Sequence, residues 1–142
     1  MEAQHTMFVC TTCASVWENG KRIGESGGEK LFQQLQQEHQ NWELKGSFAI
    51  APVKCMSACN RSCTISFASP GKSTYLFGDL SSELSEQEVT GVFECASKYY
   101  THTEGLLPWA ERSEPLKKGI LAKIPAPVVT AQIEKAEMSV TA

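Results

Sequence analysis

The sequence predicts an α/β domain with a mixed sheet, built as a β-α-β unit followed by a β-hairpin and a second helix. Three observations carry that prediction. Short apolar runs of strand composition occur at 6–9 and 47–53, and alternating ones within 63–77. Two longer stretches repeat apolar residues at helical spacing, and each is opened by a Ser-x-x-Glu sequence. Turn-forming residues, Ser69-Pro70-Gly71-Lys72, separate the last two runs.

Thr6-Met7-Phe8-Val9 is β-prone and leads the chain into Cys10. Residues 14–27 carry Gly20, Gly24 and Gly27 among mixed charges and read as a long loop with at most one helical turn. Ser26-Gly27-Gly28-Glu29 then fits a capping box, in which Ser26 accepts from the amide three residues on. Leu31, Phe32, Leu35 and Trp42 give an apolar stripe, with glutamines on the outer face, so the first helix is expected over 28–41. The run 47–53 is apolar on both faces, as a covered strand requires, and Pro52 belongs at its end or on a sheet edge because it has no N–H to donate. Cys63, Ile65 and Phe67 alternate with Thr64, Ser66 and Ala68, and residues 74–77 alternate likewise, which predicts the hairpin. Ser85-Glu86-Gln87-Glu88 is a second capping box, and Val89, Val92, Phe93 and Ala96 extend it into a helix over 86–100. From Thr101 the chain reads as irregular, with Leu106-Leu107-Pro108-Trp109 packing back on the core. The domain is expected to span 1–125, with 126–142 as a flexible C-terminal tail. This element order is the thioredoxin-type layout, in which the turn after the first strand and the connection entering the hairpin lie at one edge of the sheet.

Composition narrows the function. The 142 residues are 42% hydrophobic and 20% charged, as in a globular domain with its own core. A formal charge of −3 supplies no basic field for nucleic acid. The start of the chain has no basic and apolar leader pattern, and no apolar run is long enough to span a membrane. A cytoplasmic protein with neither nucleic-acid nor membrane partners is expected. In that reducing compartment clustered cysteines point to metal or redox chemistry, whereas export would make three disulfides the simpler reading of the six thiols. The glycines at 20, 24, 27 and 28 lack the Lys-Ser/Thr ending of a phosphate loop, and His5, His39 and His102 are scattered, so other catalytic machinery is unsupported.

Five of the six cysteines fall in two clusters, Cys10-Thr11-Thr12-Cys13 and Cys55-Met56-Ser57-Ala58-Cys59-Asn60-Arg61-Ser62-Cys63. Thiolates are soft ligands for zinc, copper(I) and iron–sulfur clusters. If the fold brings the clusters together, Cys10, Cys13, Cys55 and Cys59 supply four ligands for one zinc or for a [2Fe–2S] cluster, with Cys63 as an alternate or neighbouring thiol. Neither Gly nor Pro flanks Cys10 and Cys13 as in many zinc knuckles, which tilts the reading away from zinc. A [2Fe–2S] cluster on four thiolates carries a net charge of about −2. Lys54 and Arg61, with the short polar groups of Thr11, Thr12, Ser57, Asn60 and Ser62, are placed to offset it. A third reading is a thiol–disulfide oxidoreductase using Cys10 and Cys13. It lacks an obvious helix N-terminus to lower a thiol pKa, since the first helix begins well after Cys13, and it leaves the second cluster unused. Cys95, alone on a helix, reads as a small buried hydrophobe.

A strand into Phe8-Val9-Cys10, a helix, Pro52-Val53-Lys54-Cys55-x3-Cys59 and a hairpin together resemble the thioredoxin-like [2Fe–2S] ferredoxins, including the flavoprotein-arm subunit of quinone oxidoreductases. The chain also resembles an uncharacterised bacterial family of predicted metal-binding proteins. That likeness is carried by Val9-Cys10-Thr11-Thr12-Cys13, the stretch 55–63, Tyr75-Leu76-Phe77-Gly78-Asp79-Leu80 and Leu116-Lys117-Lys118-Gly119-Ile120, and covers most of 6–125. The resemblance implies a [2Fe–2S] cofactor, electron transfer or metal-linked metabolism (a cobalamin link among them), a redox partner protein, and homodimer assembly as a further expectation. The sequence departs from the ferredoxins in its C-x2-C spacing and in placing Cys63 where they tend to have proline. The fourth ligand beside Cys10, Cys55 and Cys59 is therefore Cys13 or Cys63.

Overall fold

A computed structural model describes residues 4–12, 16–24, 26–54, 56, 63–113, 116–117 and 119–126. The strands are β1 (His5–Cys10), β2 (Val16–Glu18), β3 (Lys21–Ile23), β4 (Phe48–Val53), β5 (Ile65–Ala68), β6 (Thr74–Phe77) and β7 (Ile120–Ile124). The helices are α1 (Gly27–His39) and α2 (Glu86–Thr101). Five strands form one sheet in the order β4-β1-β5-β6-β7, and β2 and β3 pair separately. β1 runs parallel to β4, and β5, β6 and β7 complete the sheet in antiparallel fashion.

Strand periodicity places the core. His5, Met7 and Val9 share a face of β1, and their register partners are Phe48 and Ile50 on β4 and Phe67 and Ile65 on β5. Tyr75 and Phe77 of β6 continue the row as partners of Phe67 and Ile65. α1 adds Leu31 and Leu35 to this core, and α2 adds Val89, Val92, Phe93, Ala96 and Tyr99. Tyr99 is its aromatic hub, with ring centroids 5.7 Å from Phe67, 6.2 Å from Phe48 and 6.3 Å from Tyr75. Its hydroxyl donates to the Ser73 carbonyl at 2.6 Å.

Both predicted caps form. Ser26 Oγ accepts from the Glu29 amide at 3.0 Å. At α2 the box closes in both directions, with Ser85 Oγ accepting from the Glu88 amide and Glu88 accepting from the Ser85 amide. Lys72, in the turn between β5 and β6, donates to the carbonyls of Tyr99 and Tyr100 at 3.0 and 2.7 Å and so satisfies the last turn of α2. Pro52 lies exposed on β4, an edge strand, where its missing donor does no harm. Gly71 takes φ 77° in the hairpin turn, a conformation open to a residue without Cβ.

Four expectations need correction. Residues 16–23, read as loop, form the β2–β3 hairpin. Asn19 and Gly20 both have positive φ, 51° and 79°, as a two-residue turn of the I′ kind requires. The chain after Thr101 is not wholly irregular, because β7 adds a fifth strand beside β6. α1 ends at His39, short of 41, and Trp42 follows it, packing edge-on against Phe93 at 4.9 Å. Leu107 is fully buried as expected, but Trp109 is 61% exposed. The expected tail lies outside the described residues from 127 onward. Among the described residues no helix is long and apolar enough to cross a membrane.

Candidate functional site

The parallel pair β1 and β4 ends in step, with Cys10 opposite Val53. Because the strands are parallel, both chains leave the sheet at the same edge, where Cys10 and Lys54 lie. Hydroxyl and amide donors stitch the departing chains together. The Thr11 amide donates to the Val53 carbonyl at 2.8 Å, and Thr11 Oγ1 donates to the same oxygen at 3.2 Å. Thr12 Oγ1 donates to the Lys54 carbonyl. The Cys10 thiol, 1% exposed, lies 3.8 Å from the Lys54 carbonyl oxygen and 3.8 Å from Thr12 Oγ1. Lys54 directly precedes Cys55 in the chain.

β5 approaches Cys10 from the other side. The Cys10 amide donates to the Thr64 carbonyl at 3.1 Å. Cys63 exchanges both backbone hydrogen bonds with Leu80, at 2.9 and 3.1 Å, which prolongs the β5–β6 ladder past its last regular pair. The Cys63 side chain is 2% exposed. Burial first, and then the charge of Cys10, push its thiol pKa upward. The Cys10 amide on the Thr64 carbonyl places Cys63, the preceding residue, beside Cys10 at the end of the sheet.

The third wall is the N-terminus of α1. Gly28 packs so tightly on Cys10 that a Cβ at this position would fall 2.1 Å from the Cys10 carbonyl oxygen. The Ser26 hydroxyl, while capping the helix, also donates to the Thr11 carbonyl. This overturns the expectation that no helix N-terminus is available to the first cysteine cluster. The β2–β3 hairpin lies between β1 and α1 in the chain, and α1 begins against Cys10 in space. The positive end of the helix dipole favours negative charge there. Ser26 and Gly28 are thus part of the site. The Ser-x-x-Glu box announced the cap but not what the cap would touch.

Of the residues singled out for metal binding, Cys10 and Cys63 are brought together, and Cys13, Cys55 and Cys59 lie outside the described residues. Arg61, Ser57, Asn60 and Ser62 also lie outside them. Lys54 is exposed, and Met56 packs against the edge of the core. Among the described residues no group of three His, Cys, Asp or Glu side chains gathers to hold a metal. Cys95 stands apart, 1% exposed on α2, where its sulfur accepts from the Ser113 amide at 3.2 Å. The site described so far is a buried thiol beside a second buried thiol, with a helix N-terminus and two threonine hydroxyls around it. The helix N-terminus and the hydroxyls favour sulfur-centred negative charge, whether it ligates a soft metal or attacks a disulfide, while burial and the second thiol oppose it.

A search of solved structures finds two chains with this fold. One is a thioredoxin-like [2Fe–2S] ferredoxin from Aquifex aeolicus, 19% identical, matched over 91% of the present chain and 99% of the ferredoxin with a TM-score of 0.53. The other is the wild-type form of the thioredoxin-like [2Fe–2S] ferredoxin from the same organism, at 20% identity, 86% and 99% coverage and a TM-score of 0.50. At this identity the likeness establishes the thioredoxin-like fold. No curated protein matches the chain. A family model described as "Protein of unknown function (DUF1636)" matches residues 7–126.

Proposed function

The chain belongs to the DUF1636 family of proteins of unknown function, and we propose that it is a cysteine-ligated metal protein holding a [2Fe–2S] cluster for electron transfer to a partner protein. The observation that carries this reading is the meeting of the buried Cys10 thiol with the Lys54 carbonyl, one residue before Cys55. It brings Cys10 to the residue that precedes the second cysteine cluster, which supports a four-thiolate site at this sheet edge. The surroundings suit the charge of such a site. An assembly of about −2 needs compensation, and the α1 N-terminus, Thr11 and Thr12 stand next to Cys10. The fold shared with the Aquifex ferredoxins supports the same reading. Cys10, Cys13, Cys55 and Cys59 are the ligands in this proposal. Cys63, with its backbone locked to Leu80 and its thiol in the core, is the neighbour of Cys10. When bound, the cluster supplies a one-electron redox couple, and the chain's residues hold it, shield it from water and set its potential.

Replacing one ligand tests the split site. Cys55→Ser and Cys59→Ser are expected to lower metal content by more than about tenfold, at least the loss that weaker perturbations around a metal ligand produce, while Cys95→Ala keeps it. Full metal retention in both serine variants, measured by elemental analysis of the purified chains, would contradict the proposal. A second reading gains from the position of α1. A helix N-terminus against Cys10 is the feature that activates a thiol, so a metal-free chain that reduces disulfides through Cys10 would replace the ferredoxin reading with an oxidoreductase.

A further inference from the structure

We infer that Trp109, Arg112 and Lys117 form a docking surface for a short acidic segment of a partner protein, one that carries carboxylates beside an apolar side chain. The surface lies over the β6 side of the sheet, with β5 between β6 and β1, so the inference stands apart from the metal site. Its centre is Trp109, which opens a short 3₁₀ helix over Trp109–Glu111. At 61% exposure Trp109 is the most exposed large apolar side chain among the described residues. A ring of this size left in water adds little to the core and favours association, and tryptophan is enriched where binding energy concentrates.

The ring and the segment beneath it are held in place. The Lys117 ammonium sits 4.7 Å from the Trp109 ring centroid, a cation–π contact that orients the ring and sets a positive charge against it. Leu107 and Leu116 are fully buried on either side of the surface. The Leu107 amide donates to the Tyr75 hydroxyl at 2.9 Å, and the Ser113 amide to the Cys95 sulfur at 3.2 Å. An arriving segment therefore meets a preformed surface, and little conformational freedom is lost on binding.

Charge complementarity chooses the occupant. Arg112 Nε donates to the Leu107 carbonyl at 2.8 Å, and its guanidinium lies 5.5 Å from the Tyr75 ring centroid. That edge of the fork is used, and the two Nη groups are the donors that remain to take a carboxylate. Lys98 Nζ donates to the Glu111 carbonyl at 2.7 Å beside them. A ring and two carbonyls thus orient these cations without neutralising them. Residues 106–123 carry Arg112, Lys117, Lys118 and Lys123 against Glu111 and Glu114, a net +2 in a chain of −3. Glu111, and Glu94 one turn before Lys98 on α2, confine the positive area. A small positive area on a negative molecule attracts a short acidic segment and repels a long polyanion, which favours a protein segment over nucleic acid.

The test selects random short peptides displayed on phage against the immobilised full-length chain. The selected peptides are then measured by fluorescence anisotropy against wild type, Trp109→Ala and Lys117→Glu. They are expected to carry Asp or Glu beside an aliphatic or aromatic residue and to bind less tightly as salt rises. Each substitution is expected to weaken binding by at least about tenfold, with thermal melts unchanged because the Trp109 ring is exposed. No enrichment over the bare support, selected peptides without acidic residues, or full binding by either variant would overturn the inference. Random single-stranded DNA that binds more tightly than the peptides would overturn it too. None of these outcomes touches the cysteine site, whose metal content is read separately.

Discussion

Gly28→Ala is expected to cost the protein stability and its metal together. The added Cβ would lie 2.1 Å from the Cys10 carbonyl oxygen and 3.0 Å from the carbonyl carbons of Cys10 and Thr11. These are backbone atoms held in the β1–β4 ladder, so they cannot turn aside as a flexible side chain would. Overpacking of this kind costs about 1–3 kcal/mol and occasionally more. Alanine's better helix propensity returns at most about 1 kcal/mol. The clash wins, and a net loss of about 1–2 kcal/mol corresponds to a fall of roughly 5 °C in Tm for a domain of this size. Relief of the clash moves α1 away from Cys10, so metal content falls with stability. Gly46→Ala, where an added Cβ meets nothing within 4 Å, is the control and is expected to leave both unchanged. Thermal melts and metal analysis of the two variants check this, and a Gly28→Ala chain that melts and loads like wild type would contradict the close packing of α1 on Cys10.

The second large effect lies at the other end of the sheet. Tyr99→Ala removes the ring that touches Phe48, Phe67 and Tyr75 and the hydroxyl that satisfies Ser73. Truncating a buried aromatic to alanine costs about 3–5 kcal/mol, which is a large share of the stability of a typical domain. Chemical denaturation is expected to show this as a lower midpoint with an unchanged slope. Tyr99→Phe separates the hydroxyl from the ring. Burial first, and then Tyr75, push the Tyr99 phenol up from 10.0 to about 12. The folded chain keeps this proton where the unfolded chain releases it, so the contribution is fully present below pH 10 and is lost as the pH rises toward 12. Stability profiles should therefore fall less steeply above pH 10 in Tyr99→Phe than in wild type. Parallel profiles would show that the phenol does not carry the alkaline limb.

How much of this was legible in the residues depended on how local each signal is. The alternation of Cys63, Ile65 and Phe67, the two Ser-x-x-Glu boxes and the Pro-Gly turn are short-range patterns, and each element they announce is present. β7 is different. Ile120-Leu121-Ala122-Lys123-Ile124 has no alternation and becomes a strand by pairing with β6, some forty residues earlier in the chain. β2 and β3 are three residues each and rich in charge, and their one strong signal is Asn19-Gly20, set in a stretch whose glycines and mixed charges suit a loop equally well. The helix N-terminus follows from the β-α-β order itself, since α1 begins at the end where β1 leaves the sheet, and Ser26 and Gly28 meet Thr11 and Cys10 there. The approach of Lys54, the residue before Cys55, to Cys10 was legible, because a parallel β-α-β pair delivers both chains to one edge. The identity of the fourth ligand was not, because Cys13 and Cys63 both follow from spacing and only a bound metal chooses between them.

The central claim is that the cysteines around Cys10 hold a [2Fe–2S] cluster, and the visible spectrum of the anaerobically purified full-length chain, read together with iron, sulfide and zinc analysis, tests it most directly. The account predicts a coloured protein with about two iron and about two sulfide per chain, bleached on reduction. A colourless protein carrying one zinc, or no metal at all, would contradict it.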